Sequence, residues 1–308
     1  MNIGIIGRSE ILYDTAIKLH EEGHSIKYII TSKEAPEYRK KSEDFRTLAK
    51  NLNIDFFFGS NIALFADQLK KYSVDIGVSM NYSGIIPETV TSLFPLGILN
   101  AHGGDLPMYR GNACQAWAIL NGEDKIGLCI HRMIGGELDN GDIIQRDYYH
   151  IDINTRIGDV WVWMQNTIPE LFMTSLVELK TDPNFILQTQ SKLESEALRC
   201  YPRKPEDGKI IWEKDCEDVL RLINASSEPY QGAFSYLNEK KIIILRAEIL
   251  KSNEVFCAIP GQITAICKDS VNVACGRGKI KINKIKYENK EMKPSELINS
   301  VRMRFCSL

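Results

Sequence analysis

An asparagine and a histidine stand two positions apart at the end of an apolar run, in Leu99-Asn100-Ala101-His102. In an extended backbone alternate side chains point to the same side, so Asn100 and His102 would face one spot. An amide N–H can stabilise a developing oxyanion, while an imidazole takes or gives a proton. The pair therefore predicts acyl transfer, in particular transfer to an amine.

A Gly-rich acidic stretch at 135–142 follows the next apolar run, 126–133. A carboxylate from a neighbouring strand end can hold a histidine in its useful tautomer and stabilise the imidazolium. Asp139 is the candidate for this role beside His102. His131, inside the apolar run, is interpreted as a structural residue. Taken singly, a histidine after a strand and a Gly-Asp loop are also typical of ordinary turns.

Short apolar runs alternate with amphipathic segments along the first half of the chain. Such alternation requires crossover connections, and hence a mostly parallel sheet covered by helices on both faces. We therefore predict a Rossmann-like α/β fold, in which active sites lie beyond the carboxyl ends of the strands. The predicted strands are 2–7, 25–31, 54–59, 75–80, 98–102, 126–133 and 143–149, and the predicted helices are 9–23, 38–52, 62–72 and 158–180.

The pattern changes after the long helix. Residues 182–205 are polar and contain three prolines, which predicts a linker after a catalytic domain at 1–181. One helix at 216–225 is followed by several short β-rich runs with turns. The pattern predicts a small OB-like β-barrel domain at 206–308.

Composition restricts the partners. The 308 residues are 44% hydrophobic and carry a formal net charge of −2, so no global field would hold a polyanion or an anionic membrane. Eight cysteines occur without a CxxC pair or a Cys/His ligand spacing, which favours reduced thiols over a metal site. No signal peptide is recognisable and no apolar stretch approaches the ~20 residues of a membrane span. We expect a cytoplasmic protein without a metal.

Three motifs carry a family resemblance. They are Asn100-x-His102, the run Leu106-Pro107-Met108-Tyr109-Arg110-Gly111, and Leu138-Asp139-Asn140-Gly141-Asp142. In order and strand context they resemble the folate-dependent formyltransferases, which act on methionyl-tRNA, glycinamide ribonucleotide or nucleotide-linked sugars. The resemblance implies an enzyme that takes a formyl group from 10-formyltetrahydrofolate. It also implies that Asn100, His102 and Asp139 are the catalytic set.

The resemblance implies binding residues as well. The segment 79–87 is similar to the family's folate-pocket loop. Tyr109 and Arg110 either contact nucleotide phosphates or pack locally. The implied folate-binding set is Met80, Asn81, Tyr82, Ile85, Ile86, Gly135, Gly136 and Asp142. The implied substrate-binding set is Gly103, Gly104, Tyr109, Arg110, Asn112, Arg203 and Tyr230.

The second domain favours a substrate class. Segments 201–208 and 228–236 are similar to enzymes that formylate 4-amino sugars on UDP or dTDP carriers, although Asn224 replaces an arginine of many relatives. A 3-amino isomer is the next candidate. We therefore expect a small nucleotide-sugar partner and neither nucleic acid nor a membrane.

Three alternatives stay open. A methionyl-tRNA formyltransferase is disfavoured because residues 33–44, where such enzymes carry a basic insertion, have mixed charges. A catalytically inactive OB-type binding protein would have no reason to keep all three catalytic residues. Hydrolysis of the formyl donor would place water where the amine should be.

A homodimer could form through β hairpins near 242–249.

Overall fold

The computed structural model describes residues 1–306, which form two compact units. The first comprises Met1–Cys114, Ile126–Tyr149 and Trp161–Tyr201. The second comprises Gln115–Lys125, His150–Val160 and the described residues from Pro202 onward. The domain limits drawn from the sequence, at residues 181 and 206, stay a prediction.

A mostly parallel sheet forms the centre of the first unit. The spatial order is β3-β2-β1-β4-β5-β7-β8; the pairs from β3 to β5 are parallel, and β5 pairs with β7 antiparallel. The predicted Rossmann-like α/β class is thereby confirmed. The strands are β1 (Asn2–Gly7), β2 (Ser25–Thr31), β3 (Asp55–Phe58), β4 (Ile76–Met80), β5 (Ile98–His102), β7 (Lys125–Arg132) and β8 (Ile143–His150), while the short β6 (Arg110–Gly111) pairs with β9 (Arg199–Cys200) outside this sheet.

Four of the predicted helices begin and end close to their predicted limits, whereas the remaining helices differ from the prediction. The segment predicted as one helix at 62–72 is a 3-10 helix, Ile62–Phe65, followed by one short α-helical turn. The α-helices at 88–91, 114–121 and 294–297 were not predicted. The α-helices are α1 (Glu10–Glu21), α2 (Ser42–Asn51), α3 (Ala66–Leu69), α4 (Glu88–Thr91), α5 (Cys114–Asn121), α6 (Ile157–Thr181), α7 (Cys216–Ala225) and α8 (Pro294–Leu297).

The central strand β1 is buried on both faces. Its isoleucines Ile3, Ile5 and Ile6 are fully buried, as expected where helices cover both faces of a parallel sheet. Burying each such side chain contributes roughly 1.5–3 kcal/mol relative to leaving it in water. This buried sheet is the scaffold from which the loops after β4, β5 and β7 extend.

An antiparallel sheet forms the second unit and curls round on itself. The order is β12-β13-β14-β11-β10-β16, with β15 on β14. The isolated bridge between Gln262 and Arg304 and the bond from Phe305 N to Gly261 O, 2.8 Å, bring the first and last strands together. The predicted second β domain is confirmed, and its OB-like topology stays a prediction. The strands are β10 (Ala233–Leu237), β11 (Lys240–Ile249), β12 (Ile263–Ile266), β13 (Val271–Ala274), β14 (Lys279–Tyr287), β15 (Lys290–Met292) and β16 (Phe305–Cys306).

The hairpin strand expected to pair between subunits lies inside this sheet. β10 bonds β11 as far as Ile244, and β14 bonds it from Ile243 to Ile249. Within β11, residues 245–249 run beside β14 on one edge and have no paired strand among the described residues on the other. The homodimer therefore stays a prediction, with less free strand edge to support it than the sequence indicated.

Disulfides, metal-binding clusters and membrane-spanning helices are absent from the described residues. All eight cysteines are free, and Cys257 and Cys267 are the exposed ones. Among residues 1–306, no group of three or more His, Cys, Asp or Glu side chains is arranged to hold a metal ion. In the same part of the chain, no helix combines the length and apolarity that crossing a bilayer requires.

Candidate active site

Asn100 and His102 lie at the carboxyl end of β5. In the antiparallel register with β7, Asn100 stands opposite His131 and His102 opposite Cys129. Because Ala101 separates them, their side chains leave the strand on the same face. The His102 side chain is only 8% exposed. The strand therefore presents an amide and an imidazole side by side.

Asp139, in the loop between β7 and β8, lies between two histidines. Its Oδ2 atom is 3.5 Å from His102 Nδ1, and its Oδ1 atom is 3.5 Å from His131 Nε2. The backbone N–H of Gly111 donates to Oδ2 at 2.9 Å. The amide nitrogen of Asn100 lies 3.2 Å from the same His131 Nε2. The three residues predicted as catalytic are thus brought together, with His131 joining Asn100 to Asp139.

The charge of Asp139 is set by opposing effects. Burial alone raises the pKa of this carboxyl, but the adjacent His102, the hydrogen bond from His131 and the Gly111 N–H more than offset it. The pKa of Asp139 therefore lies well below its ordinary value. The carboxylate stays ionised at neutral pH, as a residue that stabilises an imidazolium must be.

The other nitrogen of His102 contacts the loop that follows β5. His102 Nε2 donates to the Tyr109 carbonyl at 2.7 Å, and Tyr109 adopts a positive φ of 57°. Gly104 lies beneath this contact. A Cβ atom there would lie 2.3 Å from the Tyr109 oxygen and 2.6 Å from His102 Nε2, so only glycine fits. The loop therefore fixes the orientation of the His102 ring.

Arg146 supports that loop from β8. Its guanidinium lies 3.1 Å from the Asp105 carboxylate and also donates to the Leu106 carbonyl. The hydroxyl of Tyr148 donates to Asp105 Oδ1 at 3.1 Å. These bonds hold the loop's backbone from outside, and so hold the Tyr109 carbonyl against His102.

The two halves of the predicted folate-binding set meet at one backbone bond. Gly136 N donates to the Ile86 carbonyl at 3.0 Å. At Gly135 a Cβ atom would lie 2.4 Å from Glu88 backbone atoms, so the close approach of these loops requires glycine. Ile86 is buried, whereas the Ile85 side chain is 74% exposed and offers apolar surface beside this junction.

The other predicted folate residues divide by role. Met80 is buried, and the Asn81 carbonyl accepts from Arg8 at 2.7 Å. The Tyr82 hydroxyl donates to Gly59 O at 2.7 Å, and burial raises the pKa of Tyr82 to about 12. The Asp142 carboxylate accepts the backbone N–H of Gln190 at 3.3 Å. The side chains of Tyr82 and Asp142 are thus engaged within the chain.

Among the predicted substrate residues of the first unit, Arg110 is already paired. Its terminal nitrogen donates to Gln190 Oε1 and to the Ser191 carbonyl, each at 3.1 Å. This favours the local-packing alternative over a phosphate contact. The Asn112 side chain is exposed, with its backbone N–H on Cys200 O at 3.1 Å, and Gly103 is buried.

Arg203 and Tyr230 lie in the second unit. The Arg203 guanidinium donates to the carbonyls of Ala225 and Asp207 and to the Ser226 hydroxyl, at 3.1 to 3.5 Å. Asn224, which replaces an arginine of many relatives, is buried and donates to Ile153 O at 2.9 Å. Arg203 and Asn224 thus both act as structural ties in this unit.

Two residues at the site were not recognised as functional from the sequence. His131 was interpreted as structural, because its position opposite Asn100 depends on the register between β5 and β7, which the sequence does not reveal. Gln190 lies in the predicted linker, yet it is only 1% exposed. A single polar residue in a polar segment gives no signal that it will be buried.

The chain matches two family models. The formyl transferase model covers residues 1–174, and the model of the formyl transferase C-terminal domain covers residues 203–302. Together they include the catalytic candidates and most of the curled sheet.

Solved structures share the fold at low identity. An N-formyltransferase from Helicobacter canadensis, in complex with folinic acid and dTDP-3-aminofucose, is 19% identical with a TM-score of 0.68 over 91% of this chain and 98% of that one. WlaRD, a sugar 3N-formyl transferase solved with dTDP and 5-N-formyl-THF, is 20% identical with a TM-score of 0.66 over 94% and 98%.

HypX from Aquifex aeolicus, in complex with tetrahydrofolic acid, is 18% identical with a TM-score of 0.64. The match covers 97% of this chain but 47% of HypX, so this chain spans about half of that protein. At such identities these likenesses establish the fold alone. The two family models cover most of the sequence and include the strand-end asparagine, histidine and aspartate, and on that ground the chain belongs to the formyl transferase family.

Proposed function

We propose that this protein transfers a formyl group from 10-formyltetrahydrofolate to the amine of a UDP- or dTDP-linked amino-deoxy sugar. The observation that carries the proposal is the convergence of Asn100, His102 and Asp139 at the carboxyl end of β5. An ionised, buried carboxylate behind an imidazole, with an amide donor beside it, has the parts that acyl transfer to an amine requires.

The loops around this point suit a flat, partly apolar donor. Ile85 is exposed on the loop after β4, and Leu138 is exposed in the loop that carries Asp139. Backbone groups of residues 81–86 and 135–137 lie beside these side chains. We assign the folate to this pair of loops, where it would supply the formyl group.

Asn100 is assigned the role of oxyanion donor. One N–H of its amide faces His131, which leaves the second N–H for the oxygen of the formyl group as negative charge develops there. Removing one such donor from a comparable site costs on the order of 10²- to 10³-fold in rate. Asn100 therefore acts on the transition state rather than on binding.

His102 is assigned the role of the base that takes the proton of the attacking amine. To act as a base, Nε2 must leave the Tyr109 carbonyl, lose to solvent the proton that it donates there and turn its lone pair to the reacting amine, while Nδ1 continues to face Asp139. The buried carboxylate stabilises the imidazolium that forms when the amine loses its proton. Because the attacking amine must be neutral, the rate should rise with pH through the amine's own pKa and then level off.

The substrate class rests on two supports. The segments 201–208 and 228–236 resemble those of sugar-nucleotide formyltransferases. The fold is shared, over nearly the full length of both chains, with two proteins whose structures contain dTDP or a dTDP-linked amino sugar. The nucleotide would act as a handle, since its binding energy holds the amine near the formyl carbon.

The test is mass spectrometry across a panel of acceptors. The protein is incubated with 10-formyltetrahydrofolate and UDP- or dTDP-linked 3-amino and 4-amino dideoxyhexoses, with the free amino sugars as matched controls. We expect one panel member to gain a single formyl group, and the corresponding free sugar to react far more slowly.

Three other outcomes would each change the assignment. If no nucleotide sugar is modified while another amine is formylated, the sugar assignment is wrong although the chemistry stands. Formylation of methionyl-tRNA would select the tRNA alternative. Steady release of formate without any acceptor would indicate hydrolysis of the donor.

A further inference from the structure

Gln190 is a buried amide whose hydrogen bonds define its orientation. Its Nε2 atom donates to the carbonyls of Asp139, at 3.1 Å, and Gly141. Its Oε1 atom accepts from Arg110 at 3.1 Å. Two carbonyls require donors and a guanidinium requires an acceptor, so only this orientation satisfies all three partners. The side chain is 1% exposed.

One of those partners is the backbone of a strained residue. Asp139 has a φ of 47°, in the left-handed region that is unfavourable for a non-glycine residue. Its carboxylate is held by Gly111 N, whereas its carbonyl is held by Gln190. The two bonds fix the residue from both sides, and without the second the loop can relax toward an ordinary φ.

Gln190 also bonds β6, the short strand whose Gly111 N–H donates to the Asp139 carboxylate. Its Oε1 atom accepts from Arg110, the residue before Gly111. Arg110 N donates to Leu198 O at 2.8 Å, and Ile143 N donates to Gln188 O at 2.8 Å. Residues 188–200 are therefore bonded to β6 at one end and to β8 at the other, and Gln190 lies between these two bonds.

We propose that Gln190 is the positioning residue of Asp139, holding the loop backbone and β6 in the arrangement that places the carboxylate between His102 and His131. The expected fall in turnover rests on the proposed function. The expected change in the titration of Asp139 does not, because all of these hydrogen bonds lie within the chain.

The experiment is a titration of Asp139 in the full chain without substrates. Aspartate is labelled with ¹³C at the carboxyl, and the Asp139 resonance is assigned by its absence in Asp139→Asn. Gln190→Glu keeps the shape and the acceptor for Arg110 but cannot donate to the two carbonyls. Gln190→Met removes the donors without adding charge. Gln188→Glu, on an exposed side chain two residues away, is the matched control for charge.

We expect both Gln190 variants to raise the apparent pKa of Asp139 by about one unit, because the bonds that favour the charged form loosen. The Gln188 control should titrate like the wild type. In a transfer assay, kcat should fall at least about tenfold in the Gln190 variants with KM little changed, as misplacement of a catalytic group predicts.

An unchanged Asp139 titration in a folded Gln190 variant would overturn the proposal, whatever the substrate proves to be. Absence of formyl transfer in the wild type would instead count against the proposed function and leave the titration result standing. If neither variant folds, the wild type decides: the side-chain amide protons of Gln190 should exchange far more slowly than those of Gln188. Equally fast exchange would contradict the hydrogen bonds on which the proposal depends.

Discussion

The amide nitrogen of Asn100 lies 3.2 Å from Nε2 of His131, directly across the β5–β7 strand pair. His131 Nδ1 lies 3.3 Å from the Arg132 carbonyl, to which only a protonated Nδ1 can donate. Nε2 of the same ring also lies 3.5 Å from Asp139 Oδ1, so this nitrogen contacts both the Asn100 amide and the carboxylate. With one N–H of the Asn100 amide against His131, the second N–H on the same nitrogen points away from the ring.

His131→Leu should lower kcat with little change in KM. The substitution leaves Asn100 free to rotate its amide and removes one partner of Asp139. A misplacement of about 1 Å can cost roughly 10²-fold in rate. Steady-state kinetics with the best acceptor measures the effect.

His131→Gln is the conservative comparison, because its amide can occupy the region of the imidazole Nε2. We expect it to recover part of the lost kcat. Equal activity of His131→Leu and the wild type would show that His131 is only a packing residue, as the sequence alone suggested.

Asp139 should make the stability of the protein depend on pH in acid. Its pKa in the folded chain lies below the ordinary value of 3.8, so folding favours the charged form. The stability it contributes is complete above the unfolded pKa of about 3.9 and is lost as the pH falls toward the folded value. Urea unfolding of the wild type and Asp139→Asn from pH 7 to pH 3 tests this.

The difference in unfolding free energy between these two proteins should be constant from about pH 7 to pH 5 and narrow below about pH 4. Asp124→Asn, at an exposed position, is the control. If the difference in unfolding free energy stays constant down to pH 3, the contacts of Asp139 in the folded chain do not lower its pKa.

Arg203→Met should destabilise the protein and leave substrate binding unchanged. The guanidinium satisfies two carbonyls and a hydroxyl around the end of α7. Leaving such groups without a partner costs about 1–3 kcal/mol each when they are buried. Thermal unfolding measures the loss, and Lys204→Met removes the same charge from an exposed neighbour as a control.

A raised KM for the nucleotide sugar, with an unchanged Tm, would reverse this interpretation of Arg203. That result would return the residue to the substrate-binding set inferred from the sequence.

The sequence predicted the elements better than the connections between distant parts. Periodicity located β5, β7 and the long helix α6 within one or two residues, because buried faces impose regular spacing. The strand-end positions of Asn100 and His102 followed directly from β5. The 3-10 helix at Ile62–Phe65 was read as part of a longer helix, since apolar spacing alone does not separate the two.

Contacts that depend on strand register or on long-range burial could not be predicted from the sequence. His131 faces Asn100 only because β7 runs antiparallel to β5 in one particular register. Arg110 and Arg203 carry the charge expected of phosphate ligands, yet both are paired within the chain. No local pattern distinguishes a guanidinium that binds a ligand from one that caps a loop.

The most direct test of the central claim follows the formyl carbon itself. Wild type and His102→Asn are mixed with 10-[¹³C]formyltetrahydrofolate and the acceptor identified in the panel, and products are read by NMR. We expect the label in a new formamide on the sugar with the wild type, and a loss of rate of about 10²-fold or more with His102→Asn, which should still bind the folate. Label recovered only as formate, or full activity in His102→Asn, would contradict the account.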